Sequence, residues 1–417
     1  MVRIGEKAAI RSAGVEFRSP IITQGRCREM DGRSAILFLI DDRYRTGRDV
    51  PLMLRPVMGV PLLKWLTFAL SGAEVNRFFL ACPPAFADAA LACFPETVSV
   101  TAASDAELSD RLHVFLSTAP DGEEDVLVVT GPVLYLPGTR AEDQPANAVM
   151  ISRRALMDAL DEETVPIGSF LRRAGDVCTQ RDGFFSVSAP EELPDWQSLL
   201  TGSVLRRLTR DGVEVWDMGS CWVEPGVEVG LGTTLLPGTV LQGKTKIGFG
   251  CTVGPNTRVI DSVIGSHSVV EQSRLEGVQI GANAQVGPFA NLRPGTVLDA
   301  RAKAGAFVEL KNAALGADVK VPHLSYLGDA AVGEGTNVGC GTVTANFDRV
   351  EKHRTVIEPE AFIGCNTTLV APVTVGKGAY VGAGSVVTED IPAQALAIGR
   401  ARQQNRKEWA IRNKQPE

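Results

Sequence analysis

Seven polar side chains fall within 54 residues: Arg293, Glu309, Lys311, His323, Tyr326, Asn337 and Asn346. Their types suit a definite chemistry. Arginine, lysine and tyrosine converging on one spot would hold a phosphate or a sugar-phosphate. A glutamate beside a histidine would make a general base, with the carboxylate fixing the imidazole tautomer. The chain has only four histidines (His113, His267, His323 and His353), so histidine chemistry is easy to localise.

These residues lie inside a six-residue repeat that runs from Trp222 to Pro392. One aliphatic recurs per hexad: Val223, Val229, Leu235, Leu241, Ile247, Val253 and Val259, then Ile264 and Val270, then Ile280, Val286, Leu292 and Leu298. After a run of variants the register resumes at Ile357, Ile363, Leu369, Val375, Val381 and Val387. A short fixed period of this kind predicts a parallel β-helix. Each hexad is a strand plus a turn, and its aliphatic stacks on its copies in the coils above and below. The glycine that often follows lets the backbone bend at a corner. One coil buries almost nothing alone, so many are needed. Three hexads per coil give roughly nine coils, a prism ~45 Å tall at ~4.8 Å per layer. Three steps shorten to five residues, at Val259–Ile264, Leu310–Leu315 and Leu327–Val332. The repeat degrades between Leu292 and Phe347 and breaks from Asn346 to Arg354. Stacking at about 18 residues puts Arg293 over Lys311, and the shortened corners bring Lys311 towards Tyr326 and Glu309 towards His323.

The preceding region, 35–195, alternates apolar strands with helices. Strands are expected at Ala35–Ile40, Arg77–Ala81 and Val126–Thr130, and helices at Pro61–Ser71, Phe86–Cys93 and Arg153–Leu160. This pattern predicts a parallel α/β sheet with crossovers. After the first strand come Asp41, Asp42 and Arg43, where a phosphate-binding loop would place glycines. Two carboxylates there would repel a nucleotide. The expected organisation is therefore an extension of unread role at 1–34, an α/β domain at 35–195, a linker at 196–221 with a helix over Glu191–Thr209, the β-helix at 222–392, and a charged tail at 393–417.

Net charge is −7, which argues against nucleic acid as a partner. Eight cysteines without a C-x-x-C pair read as reduced thiols in a cytoplasmic protein. The charged Met1 end does not read as a secretory signal, and no apolar run is long enough to span a membrane.

At the repeat the chain resembles the GlmU family, in which a uridylyltransferase half precedes a left-handed β-helix that acetylates glucosamine 1-phosphate. The motifs that carry the resemblance are VGPFANLRPGT, FVELKNAALG, HLSYLGDA, VGCGTVTANFD, TLVAPVTVGKGAYVGAGSVVT and ALAIGR. It implies that His323 is the general base for the sugar amine and that Glu309 orients it. Arg293, Lys311, Tyr326 and Lys352 would hold the sugar phosphate, and Asn337 the sugar. Asn346 and Phe347 would meet the thioester end of acetyl-CoA, with Asn346 a candidate oxyanion donor. Cys340, Cys365, Ala383 and Arg400 would make further coenzyme contacts. The resemblance also implies a homotrimer with sites between subunits, a role in UDP-N-acetylglucosamine and peptidoglycan synthesis, and acetyl transfer that needs no metal. Three positions depart from the family: Phe347 for Tyr, Cys365 for Ser and Cys340 for Ala.

The first half resembles the uridylyltransferase only in outline. The signature glycines are replaced by Asp41 and Arg43, and the lysine by Leu52, while Arg45 and Pro51 remain. One metal-binding aspartate falls at Pro132, the asparagine ligand falls at about Ser188, and most of the sugar-recognition stretch between Leu136 and Asn147 is missing. Loss of uridylyl transfer is expected. Two other readings stay open: acetylation of a different amino sugar, nucleotide-linked ones included, and a non-catalytic assembly partner.

Overall fold

The structure is a computed structural model and describes residues 34–43, 49–57, 59–120, 122–136, 147–161, 183–187 and 192–412. It divides into two compact units. One comprises Met1–Asp211 with Trp222–Val227, the other Gly212–Cys221 with Glu228–Glu417. Among the described residues no helix is long and apolar enough to cross a membrane.

The first unit holds a five-stranded sheet. Its strands are β1 (Ser34–Phe38), β2 (Arg77–Ala81), β3 (Ser99–Ala103), β4 (Asp125–Val129) and β5 (Ala148–Ser152), in spatial order β3-β2-β1-β4-β5. The first four run parallel, and β5 joins β4 antiparallel. Central strands are covered on both faces, so β1 and β4 are continuous apolar runs. Helices α1 (Leu62–Ser71) and α2 (Leu108–Ser117), with the short helix Ala87–Leu91 between them, supply crossovers, α3 (Arg153–Asp161) follows β5, and Ile36, Phe79, Leu112, Phe115, Val128 and Leu156 share one core. The strands expected at Arg77 and Val126 and the helices at Pro61 and Arg153 are present within two residues of their predicted ends. Sequence reading missed β3, α2 and β5. β3 is an edge strand of small and polar residues, Ser-Val-Thr-Ala-Ala, buried only at Ala103, so it shows no apolar run. The expected linker helix is α4, Leu193–Arg210.

The Asp41-Asp42 loop after β1 is built around its carboxylates. Asp42 is buried, and its Oδ1 accepts the Leu52 N–H at 2.9 Å. Asp41 pairs with Arg43 at 2.8 Å. Arg45, Ser188 and the extension expected at 1–34, apart from Ser34, lie outside the described residues.

The second unit is a left-handed parallel β-helix. Its two- to four-residue strands pair with strands one coil away, and its three sheets have eleven, ten and nine strands among the described residues, against roughly nine coils expected. The inward column Val253, Val270, Val286, Ala304, Val321, Val338, Ile363 and Val381 is buried throughout. The repeat does not degrade after Leu292. Its inward positions continue through Leu298, Ala304, Leu310, Leu315, Val321, Leu327, Val332, Val338 and Thr344, all buried. Alanine and threonine at Ala304 and Thr344 hid the register from a search for aliphatics. Thr344 is tolerated inside because its hydroxyl accepts from the Gly328 N–H at 2.8 Å and donates to Gly328 O at 3.1 Å. Five-residue steps are also more frequent than expected: Leu275 is fully buried and shortens the steps on both sides of it. Only residues 346–354 leave the solenoid. Thr355 pairs with Ala330 and Val370 with Ala345, so register is regained directly after the excursion.

Corner glycines are explained by Gly364. A Cβ there would sit 2.5 Å from the Ala383 backbone N in the next coil.

Candidate active site

Two groups of side chains gather around neighbouring corners of the β-helix. The first stands on the strands Asn291–Leu292, Glu309–Lys311 and Tyr326–Gly328. Asn291 pairs with Glu309, which sets Arg293 above Lys311 as expected. Below that the register differs from the expectation. Glu309 pairs with Tyr326, and Lys311 with Gly328, because the coil from Glu309 to Tyr326 is 17 residues long, not 15. Arg293 Nη1 donates to Glu309 Oε1 at 3.1 Å. The tyrosine hydroxyl lies over the Cα of Gly328, where a Cβ would collide with it and would stand 2.8 Å from Asn346 Nδ2. A side chain at residue 328 would thus fill the space between them.

Lys352 reaches this group from the 346–354 excursion. Its ammonium stands beside that of Lys311. This contact first, then the charges of Lys352 and Arg293, hold Lys311 below the usual lysine range, while Asp329 opposes the shift. Three cations therefore crowd one patch; Glu309 pairs with Arg293, and Asp329 is the carboxylate that offsets Lys311. That carboxylate is already engaged. Asp329 Oδ1 accepts from Asn312 Nδ2 at 2.6 Å, and its Oδ2 from Asn346 Nδ2 at 2.5 Å. Asn346 is 8% exposed and commits one amide hydrogen to this bond.

The second group is a column at the corner that ends the strand Lys320–His323. His323 is exposed, and its strand pairs it with Ala306. Cys340 and Cys365 occupy the same place in the following coils, as the 2.7 Å bond from Asn366 N–H to Cys340 O shows. Ala383 follows, and Arg400 lies beside Gly384. One protomer does not bring the expected Glu309–His323 pair together. Glu309 is bonded to Arg293, and the His323 imidazole has no partner among the described residues. Asn337 lies on the same sheet as His323, between Lys320 and Phe362 in register. Phe347 is exposed on the excursion.

Sequence reading missed Asn312, Asp329 and the inner side of the excursion. A usable signal was present: Asn312, Asp329 and Asn346 are spaced by 17, one shortened coil each, so an Asn–Asp–Asn ladder could have been read from the numbers alone. Asn312, Asp329, Lys352, His353 and Arg354 line a cleft of about 360 Å³.

Parallel coils, inward columns and an outer face carrying polar groups at the corners define a hexapeptide-repeat protein. Residues 354–389 match the family described as "Bacterial transferase hexapeptide (six repeats)". The bifunctional protein GlmU of Exiguobacterium sp. is 44% identical over 249 residues, covering 58% of this chain and 55% of that protein. GlmU of Carboxydothermus hydrogenoformans is 50% identical over 214 residues, 50% of this chain and 48% of that protein. Among solved structures, the Arabidopsis UDP-N-acetylglucosamine acyltransferase is 17% identical, covers 45% of this chain and 66% of its own, and has a TM-score of 0.30. Over the matched stretch the chain is similar to the bifunctional GlmU proteins, and it spans about half the length of the curated relatives it matches.

Proposed function

We propose that this chain is an acetyltransferase that moves the acetyl group of acetyl-CoA to the amine of glucosamine 1-phosphate, in UDP-N-acetylglucosamine synthesis. One observation carries the reading: Arg293, Lys311 and Lys352 converge so closely that Lys311 is held below its usual range. A phosphate bound among them relieves that repulsion and places the sugar beside the β-helix corner. His323 takes a proton from the sugar ammonium, since only the free amine is nucleophilic. The amine attacks the thioester carbonyl, the tetrahedral oxyanion is met by N–H donors, and the CoA sulfur leaves as the thiol, taking up the second proton lost from the nitrogen. Asn346, tied to Asp329, offers its remaining amide hydrogen. The coenzyme lies along Cys340, Cys365 and Ala383 towards Arg400, with Phe347 near its thioester end, and Asn337 contacts the sugar.

The assembly in this reading is a cytoplasmic homotrimer, in which a neighbouring subunit completes the surroundings of His323. The step needs no metal. Uridylyl transfer is absent, because the loop after β1 presents Asp41 and buried Asp42 in place of a phosphate cradle.

Thiol release from acetyl-CoA tests the reading, with glucosamine 1-phosphate, glucosamine 6-phosphate and UDP-glucosamine in parallel. Release with glucosamine 1-phosphate alone is expected. Release only with another amine keeps the mechanism and changes the acceptor. No release from a folded trimer refutes the enzyme reading in favour of an assembly partner. His323→Ala should abolish transfer with the trimer intact.

A further inference from the structure

The 346–354 excursion has nothing apolar to hold it. Phe347 is 61% exposed and Val350 is 88% exposed, so hydrophobic burial does not anchor the loop. Yet it places Lys352 against Lys311, a position that like charge disfavours. Something polar must hold it there. Asp348 provides the frame, its Oδ1 accepting the N–H groups of Val350 and Glu351 at 2.8 Å each. Phe347 and Lys352 form an antiparallel bridge. His353 closes the base. Its N–H donates to Asn346 O at 2.8 Å, and its Nε2 lies 2.7 Å from Asp348 Oδ2. Within 347–354 only His353 is partly buried.

We infer that His353 is a positioning residue which, by gripping Asp348, closes the loop and holds Lys352 in place beside Lys311. The inference rests on the reading of Arg293, Lys311 and Lys352 as a phosphate clamp. His353 touches no substrate in this arrangement and acts through Lys352.

The grip is pH-dependent. Asp348 faces the imidazole directly and Glu351 faces it through charge. Asp329, Lys352 and Arg354 line the same cleft. The bond to Asp348 raises the His353 pKa above its ordinary 6.5, with burial opposing and the two carboxylates assisting. The same bond and the two N–H groups hold Asp348 well below the carboxylate range. A histidine raised by a partner contributes fully below its unpaired value and loses that contribution as pH rises through the raised one. Clamp affinity should therefore weaken from pH 6.5 towards pH 9.

Calorimetric binding of glucosamine 1-phosphate to the full chain, at pH 6.5 and pH 9, tests this in the parent, His353→Phe and His353→Gln. Ionisation of the sugar phosphate, near pH 6, is common to all three and cancels in the comparison. At pH 6.5, His353→Phe should bind about two- to fivefold more weakly than the parent, the range of an exposed ion pair. That gap should close at pH 9. His353→Gln, a neutral donor, should recover part of the loss at pH 6.5. The kcat at saturating substrate should be unchanged in both variants. Equal affinity of parent and His353→Phe at pH 6.5, or a gap independent of pH, overturns the inference. If the parent binds no glucosamine 1-phosphate, the clamp reading falls and amide exchange decides the grip alone. The Val350 and Glu351 amides should then exchange faster in His353→Phe than in the parent at pH 6.5, and equal rates overturn the inference.

Discussion

Lys311→Met separates the clamp reading from a structural one. Lys311 stands between two cations, Lys352 and Arg293. Asp329, the carboxylate that offsets it, already accepts two amide bonds. The unliganded protein therefore carries repulsion at this patch, and methionine removes it while keeping a stem of similar length. The melting temperature of the free protein should stay level or rise. The sign with pH follows from the lowered lysine. In the parent the unfolded state binds the proton more tightly, so stability grows as pH climbs from the lowered value towards 10.5, and Lys311→Met should lack that growth. Binding should move the other way. Loss of one charge-assisted bond to phosphate should weaken glucosamine 1-phosphate about 10- to 100-fold. Calorimetry at two salt concentrations provides the assay. Affinity should depend less on salt in the variant than in the parent, because one cation fewer meets the phosphate. Lower stability of the free variant with undiminished affinity would refute the reasoning, since Lys311 would then be a structural group.

Three further outcomes are expected. Leu275→Ala, at a fully buried inward position, should cost about 2–5 kcal/mol in urea unfolding, whereas an ordinary exposed site would stay within about 0.5 kcal/mol. Among the six described cysteines, mass-spectrometric labelling of the native protein at pH 8 should mark Cys365 and then Cys340, leaving Cys82, Cys93, Cys221 and Cys251 unmodified until unfolding. Burial pushes the Cys93 thiol up to about 11, which keeps it protonated and unreactive. Gly328→Ala should displace the Tyr326 hydroxyl and raise KM for the sugar phosphate with little change in melting temperature, because the nearest obstacle is the end of a side chain and not backbone.

The β-helix was legible because its aliphatics repeat at a fixed interval over many coils. Where the interval shortened or the inward residue became Ala304 or Thr344, the pattern looked broken although the stack was not. Tertiary pairing, set by neighbouring coils, carries those positions whatever their side chain. Reading the shortening as three residues brings Tyr326 towards Lys311, whereas the coil loses only one and is 17 long, which sets Tyr326 on Glu309. In the first unit, strongly apolar strands such as Arg77–Ala81 were read correctly, and the polar edge strand Ser99–Ala103 was not. Nothing local marks such a strand; it is ordered by its partner. Asp329 was passed over because its role is to hold Asn312 and Asn346, which spacing alone reveals only once the coil length is known.

Register recovery after the 346–354 excursion has a wider consequence. Each rung zips only onto its immediate neighbours, so the array behaves as a one-dimensional stack whose open end frays first. Cys365, Ala383 and Arg400 sit towards that end, and a long ligand lying across their rungs would act as a clasp on it. Its imprint on hydrogen exchange would then be a gradient, steepest in the final turns and fading towards Leu235, with no change in the shape of any single rung.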